Sequence, residues 1–296
     1  SNYVAAIVAG CICPAGADID TLGIQITANG RHKAVLLYDT EQSEVQLFKN
    51  VSNLLARAKQ TDKPDELKAF CLTGMSRKER LNAIVQSMDK FYYQYGGIQL
   101  VVIDGIADLV KSANDEAESV AVIDELYRLA GIYNTCILCV LHFVPNGLKL
   151  RGHLGSELQR KAATILSIEK DEEPTQSVVK ALKVRDGSPL DVPLMLFAWD
   201  KEAGMHVYKG EKPREEKEKR KERELVNVAR DIFGRQTRIT YIDLCEQLQQ
   251  VLDIKERTAK SYIRFMRERD IITKDTANQS CFVIGSYHLQ RNASCP

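Results

Sequence analysis

The chain has 296 residues, 44% hydrophobic and 27% charged, with a net charge of +1. At about 150 residues per domain this length suits two domains or one large one, and the mixture excludes a disordered chain or a collagen-like fibre. The charge excludes a uniformly basic coat, and eight scattered cysteines do not make a small secreted disulfide scaffold but read as reduced thiols of a cytoplasmic protein.

The longest uncharged stretch runs from Tyr3 to Ala17. It is too short to span a bilayer, is broken by Gly10 and Pro14, and has no Lys or Arg ahead of it as a secretory segment would. It predicts a buried helix and no membrane association. Val35-Leu36-Leu37-Tyr38 follows as a continuously apolar run, the pattern of a strand covered on both faces. Similar runs stand at Phe70-Cys71-Leu72, at Leu100-Val101-Val102-Ile103 and from Cys136 to Leu141. Between the last two lies the helical stripe of Val122, Ile123, Leu126, Leu129, Ala130 and Tyr133. Strands separated by helices predict an α/β fold with a mainly parallel sheet flanked by helices. After Thr164 the runs crowd together, at 164–169, 177–184, 192–199 and 205–208, and predict antiparallel additions to the sheet edge.

Residues 1–209 thus form a first domain. Residues 210–224 carry seven basic and six acidic side chains without apolar periodicity, a solvated linker or an exposed helix laced with ion pairs. Residues 225–296 show three short stripes: Val226, Ala229, Ile232 and Phe233; Leu244, Leu248, Val251 and Leu252; Ala259, Tyr262, Ile263 and Met266. Two short apolar runs, Ile271 to Lys274 and Cys281 to Ile284, then flank a turn. Three helices and a hairpin predict a winged helix-turn-helix. Eleven basic against eight acidic residues give this segment +3, so the basic excess of the chain lies here.

Four places carry chemistry. Leu100 to Asp104 is a buried strand ending in a carboxylate, at the sheet edge where open α/β folds bind ligands; such an Asp holds hydrated magnesium in nucleotide hydrolases, or caps the next helix. Glu41 also follows a buried strand and suits a base that polarises water; alternatively Asp39 or Thr40 caps a helix near Ser43 and Glu41 meets its dipole. His142 closes a third strand on the same edge. Lys183 and Arg185, two apart on a strand, project on one face and suit phosphate binding or a solvated hairpin tip. Cys136-x-x-Cys139 has metal-ligand spacing, but three residues apart on a strand the thiols point to opposite faces, so no zinc is expected.

Together these residues resemble the RecA-like ATPase core, and most of all the hexameric replicative helicases that include small plasmid-encoded ones. Tyr38-Asp39-Thr40-Glu41 is similar to the strand bearing the catalytic glutamate, Val102-Ile103-Asp104-Gly105 to the magnesium-binding strand, and Leu141-His142 to the sensor position. Arg151-Gly152-His153-Leu154-Gly155-Ser156 resembles the segment after the mobile DNA-facing loop, and Lys183-Val184-Arg185-Asp186-Gly187 the finger given to a neighbouring subunit's nucleotide. The resemblance implies ATP and Mg²⁺ as cofactors, DNA as partner, a homo-hexamer and replication of a plasmid or other mobile element. One departure is plain: residues 1–296 contain no Gly-x-x-x-x-Gly-Lys-Ser/Thr, the loop whose amides and Lys cradle phosphates. Ser1-Asn2-Tyr3-Val4 resembles the helix after such a loop, with Ser1 in the place of the magnesium-binding hydroxyl. The expectation is that the loop and its strand lie upstream and that the chain as it stands binds ATP poorly. A non-enzymatic DNA-binding regulator and a filament-forming recombinase-like ATPase are the rival readings.

In the C-terminal segment, Lys255 to Arg269 holds six basic and two acidic residues and is the expected recognition helix. Lys255, Arg257, Lys260 and Arg264 lie largely off its apolar stripe and suit DNA contact.

Overall fold

The computed structural model describes residues 2–142, 152–171, 173–212, 217–234, 236–276 and 278–286. The chain divides into two compact units, residues 1–213 and 214–296.

The first unit opens with α1 (Asn2–Ile12), an apolar helix with nine of its eleven residues buried. Four strands, β1 (Ala34–Asp39), β2 (Leu67–Cys71), β3 (Ile98–Asp104) and β4 (Cys136–Val140), make a parallel sheet in the order β2-β1-β3-β4. The unbroken apolar run of β1 has a simple cause. Successive side chains point to opposite faces, so Val35 and Leu37 join one core with α1 and α2 (Glu44–Arg57), while Leu36 and Tyr38 join the other with α3 (Arg77–Tyr95) and α4 (Glu116–Ile132). Both faces being covered, no position along β1 can be polar before the strand ends at Asp39.

Past α5 (Gly152–Lys161), β5 (Thr164–Lys170), β6 (Gln176–Val184), β7 (Leu194–Asp200) and β8 (Met205–Lys212) form an antiparallel meander. The expectation that these strands extend the parallel sheet is corrected. Among the described residues they form a sheet of their own, because no ladder joins β4 to β5. The two sheets meet instead through side chains: Val179, Met195 and Phe197 enter the same apolar core as α1, Val102 and Leu138. The long connection between α1 and β1 is tied down by polar contacts. Arg57 of α2, buried, donates to the carbonyls of Asp20 and His206, and Asp20 accepts from the amides of Leu22 and Tyr208.

The second unit contains α6 (Lys217–Phe233), β9 (Ile239–Thr240), α7 (Tyr241–Leu252), α8 (Glu256–Glu268), β10 (Ile272–Lys274) and β11 (Cys281–Ile284). The charged stretch 210–224 is therefore no element apart: β8 reaches Lys212, and α6 takes up the residues from Lys217 onward. The strands pair antiparallel in the order β10-β11-β9. Val226, Ala229, Ile232, Phe233, Leu244, Leu248, Ala259, Ile263 and Met266 fill the core, whereas Val251 of the second stripe is exposed. The αL conformation of Asp253 ends α7, and α8 begins three residues later.

No described helix is long and apolar enough to cross a membrane. The seven cysteines of the described residues are free thiols, and no group of three or more His, Cys, Asp or Glu among those residues is arranged to hold a metal ion.

Candidate nucleotide site at the sheet edge

Parallel strands in register end at one edge, and here that edge gathers polar residues. Asp39 lies opposite Asp104, and Asp104 opposite Val140, two residues before His142. Asp39, Thr40 and Asp104 are all buried.

The capping alternatives are excluded by what caps the helices. Ser43 is the N-cap of α2, its hydroxyl accepting from the amide of Gln46. Asp115 caps α4, eleven residues beyond Asp104. Asp39 does different work: its Oδ1 accepts from the amides of Glu41 at 3.0 Å and Gln42 at 2.8 Å. That turn bends the chain out of β1 and sets the direction of Glu41. Thr40 then staples the two strand ends. Its amide donates to the Asp104 carbonyl at 3.1 Å, and its hydroxyl lies 3.1 Å from that carbonyl and 2.8 Å from the carbonyl of Gly105.

Gly105 is required by this staple. It sits at φ +100°, and a Cβ there would run into the Thr40 hydroxyl and the Glu41 side chain. Neither the stapling by Thr40 nor the need for Gly105 is evident from the sequence. The one signal for them is a hydroxyl and a glycine immediately past two buried strands that end in Asp.

Glu41 and His142 meet, with Oε2 and Nε2 3.3 Å apart, and both side chains reach solvent. Asp104 is the opposite case, 9% exposed. Burial pushes its carboxyl above the usual carboxylate range, and the neighbouring charges of Asp39 and Glu41 push the same way. Among the described residues no side chain or amide donates a hydrogen bond to its carboxylate. A buried carboxylate left without donors is a hard oxygen ligand ready for a cation. Magnesium takes one or two protein carboxylates and completes its shell with water and substrate phosphates, so Asp104 fits it without a larger cluster. Ser1, expected as a second ligand, lies outside the described residues, as does Arg151.

The structure thus brings Glu41, Asp104 and His142 to one edge. Lys183 and Arg185 stand elsewhere, at the end of β6. Lys183 donates from Nζ to the carbonyls of Gln159 at 2.6 Å and Arg160 at 3.3 Å, and Arg185 to that of Lys161 at 3.2 Å. These are the last carbonyls of α5, where cations satisfy orphan acceptors and oppose the helix dipole. Among the described residues no hydrogen bond or ion pair joins either cation to Glu41, Asp104 or His142.

In the second unit Lys255 occupies the N-cap position of α8, and Arg257, Lys260 and Arg264 are exposed on it. Two of these cations carry intrahelical partners: Lys260 lies 2.7 Å from Glu256, and Arg264 2.8 Å from Glu268.

A helix-flanked parallel sheet with carboxylates and a histidine at its carboxyl edge is an open α/β fold of the class that binds ligands outside the carboxyl ends of its strands. A family model described as an AAA domain matches residues 5–146, the span that contains Glu41, Asp104 and His142. That match points to a nucleotide-dependent ATPase. No curated protein matches the chain.

Proposed function

We propose that this chain is the core of a DNA-dependent ATPase of the replicative-helicase type, serving a plasmid or other mobile element and working as a homo-hexamer. The observation that carries the reading is the edge itself: a buried Asp104, to whose carboxylate no described residue donates, beside a Glu41–His142 pair, on strand ends in register. Asp104 would hold the magnesium that neutralises phosphate charge. The Glu41 carboxylate accepts the proton of the water that attacks the terminal phosphorus. His142, within hydrogen-bonding reach of Glu41, holds that carboxylate when no nucleotide is present and exchanges it for a phosphate oxygen when one is. Lys183 and Arg185 serve a neighbouring subunit, leaving the α5 carbonyls for its nucleotide. The second unit is read as a winged helix, with α8 as recognition helix and β10–β11 as wing; its fold order of helix, strand, two helices joined by a tight turn, and hairpin supports this.

The test joins a Gly-x-x-x-x-Gly-Lys loop and its strand ahead of Ser1 and measures steady-state ATP hydrolysis with and without DNA. Glu41→Gln should lower kcat at least about a hundredfold while nucleotide binding persists, since general-base catalysis supplies about 10²–10⁴. Asp104→Asn should lower kcat and raise the magnesium concentration needed for hydrolysis, an amide being a poorer magnesium ligand than a carboxylate. A Glu41→Gln protein that hydrolyses ATP at the unaltered rate would sink the assignment.

A further inference from the structure

Backbone groups at the carboxyl ends of three strands are wired into one closed circuit. Thr40 joins the end of β1 to that of β3. The Asp39 carbonyl, one residue earlier, accepts from the amide of Leu72 at 2.8 Å and so joins β1 to the end of β2. On the β3 side, the Gly105 carbonyl that takes the Thr40 hydroxyl also accepts from the amide of Asp108 at 3.0 Å, in the short helical turn Ile106–Leu109. The ends of β2 and β3 are not neighbours in the sheet, because β1 lies between them. One side chain links them: Arg80, near the start of α3. Its Nε donates to the Leu72 carbonyl at 3.0 Å, its Nη1 to that of Asp108 at 3.1 Å and its Nη2 to that of Thr73 at 3.2 Å. The circuit therefore runs from Asp39 through Leu72, Arg80, Asp108, Gly105 and Thr40 back to Asp39.

The link needs arginine in particular. A guanidinium presents donors from three nitrogens in one plane, so a single side chain holds carbonyls on two separate connections at once, whereas a lysine ammonium is one point charge. The Arg80 side chain is 14% exposed, and a carbonyl robbed of a buried donor carries the cost of its own desolvation. The Asp108 carboxylate lies 3.9 Å from Nη1 and is 41% exposed, so solvent screens that ion pair and the carbonyl bonds carry the contact. The residue also stands on a fixed support. The capping box closes the start of α3, the Ser76 amide donating to Glu79 at 2.8 Å and the Arg80 amide to the Ser76 carbonyl at 2.9 Å, while Ile84 and Met88 anchor the helix in the core.

We infer that Arg80 is a positioning residue for the candidate site: it locks the strand exits on which Glu41 and Asp104 stand. Among the described residues no hydrogen bond or ion pair joins Arg80 to either carboxylate, so it acts through the backbone. Glu41 follows Thr40 directly and Asp104 precedes Gly105, so the two carboxylates flank the Thr40 staple. Slack in the circuit changes their separation, and a misplacement of about 1 Å can cost about a hundredfold in rate. The consequence for rate rests on the reading of Glu41 as the base in ATP hydrolysis; the locking of the strand exits does not.

The first measurement is residue-resolved amide hydrogen exchange on the full chain. In Arg80→Gln the amides of Thr40, Leu72 and Asp108 should lose protection by about tenfold to a hundredfold, the scale of hydrogen bonds from a charged donor. The amides of Ala34 and Val35 are the control: they sit at the other end of β1, donating to the carbonyls of Gly97 and Glu66, and should exchange as in the wild type. Arg80→Lys keeps the charge without the span and should lose as much as Arg80→Gln. Unchanged exchange at Thr40, Leu72 and Asp108 overturns the inference. Equal loss at Ala34 and Val35 also overturns it, since Arg80 would then serve stability in general. Wild-type protection in Arg80→Lys does the same, because charge opposite Asp108 would then suffice. The second measurement is ATP hydrolysis with a phosphate-binding loop and its strand supplied ahead of Ser1. There Arg80→Gln should lower kcat about tenfold to a hundredfold and leave KM for ATP unchanged. An unaltered kcat beside an inactive Glu41→Gln overturns the positioning role. If Glu41→Gln itself hydrolyses ATP at the wild-type rate, the reading of the site has failed instead, and the exchange result alone decides what Arg80 does.

Discussion

Asp104 makes the free protein respond to pH in the sense opposite to a salt-bridged acid. Its folded-state carboxyl titrates above the ordinary range, burial being the first cause, whereas in the unfolded chain an aspartate titrates near its ordinary value of about 3.9. A raised acid binds its proton more tightly when folded, so its contribution is most favourable below about pH 4 and is lost as pH rises through the folded value. Asp104→Asn, which cannot ionise, should therefore melt higher than wild type at neutral pH without magnesium, and the difference should vanish in acid. Each kcal/mol of added stability moves Tm by about 2–4 °C in a unit of this size. Equal melting at pH 7 would mean the carboxylate is better solvated than its burial implies. Gly105 gives the complementary prediction. Gly105→Ala puts a Cβ at φ +100° against Thr40 and Glu41 and should cost about 1–3 kcal/mol as backbone strain, read as a lower Tm. Measured against Thr40→Ala alone, Gly105→Ala should cost less than it does in the wild type, because the hydroxyl that the Cβ would meet is gone; if it costs as much, the strain lies in the φ angle and at Glu41.

At the scale of elements, α8 shows why counting charges along a helix is insufficient. Lys260 and Arg264 are already paired with Glu256 and Glu268 at i, i+4 spacing. Exposed pairs of this kind are screened by solvent and weak, so a phosphate can displace the carboxylates. Removing the competitors should then strengthen binding: Glu256→Gln with Glu268→Gln should raise affinity for duplex DNA at low salt. Arg257→Ala, Lys260→Ala and Arg264→Ala should instead flatten the salt dependence, by about 0.9 for each phosphate no longer neutralised. A salt slope that neither set changes would make α8 a protein-docking face. The elements themselves are legible in the sequence where a local pattern decides them. The run Val35 to Tyr38 reads as a two-face strand because each residue is buried regardless of side, and the stripe of Ala259, Ile263 and Met266 reads as a helix because one face of α8 is. What the sequence hides is set by partners distant along the chain. β9 is two residues long, too short for any period, and exists because Ile239 and Thr240 pair with Phe282 and Cys281. The separation of β5–β8 from the parallel sheet depends on which edges meet, and apolar patterning does not encode that. At the candidate site Glu41, Asp104 and His142 are readable as polar residues ending apolar strands. The roles of Asp39 and Thr40 are not, because both act through backbone amides and carbonyls that have no signature of their own.

For the whole molecule, the position of Lys183 and Arg185 on the end of α5 poses the question of whose nucleotide they serve. Within one chain they are occupied by the carbonyls of Gln159, Arg160 and Lys161, and among the described residues neither bonds to the Glu41–Asp104 edge. If they act across a subunit boundary, a ring has one site per interface, each built from the Glu41 of one chain and the Arg185 of the next, as a head-to-tail assembly that closes would require. Such a finger contributes about 10³–10⁵ in rate by stabilising transition-state charge. With the phosphate-binding loop supplied ahead of Ser1, Glu41→Gln and Arg185→Ala should each be nearly inactive alone. Mixed under conditions that allow subunit exchange, some interfaces join an intact Glu41 to an intact Arg185, and ATP hydrolysis should partly return. Mixed oligomers that form and stay inactive leave two explanations: Arg185 serves its own subunit, or one dead site blocks a strictly coupled ring. Titrating wild type with Glu41→Gln separates them, because only strict coupling loses activity faster than the fraction of mutant added. A proportional loss together with failed complementation would place Arg185 with its own chain, as the anchor on α5 that its bond to the Lys161 carbonyl already makes it.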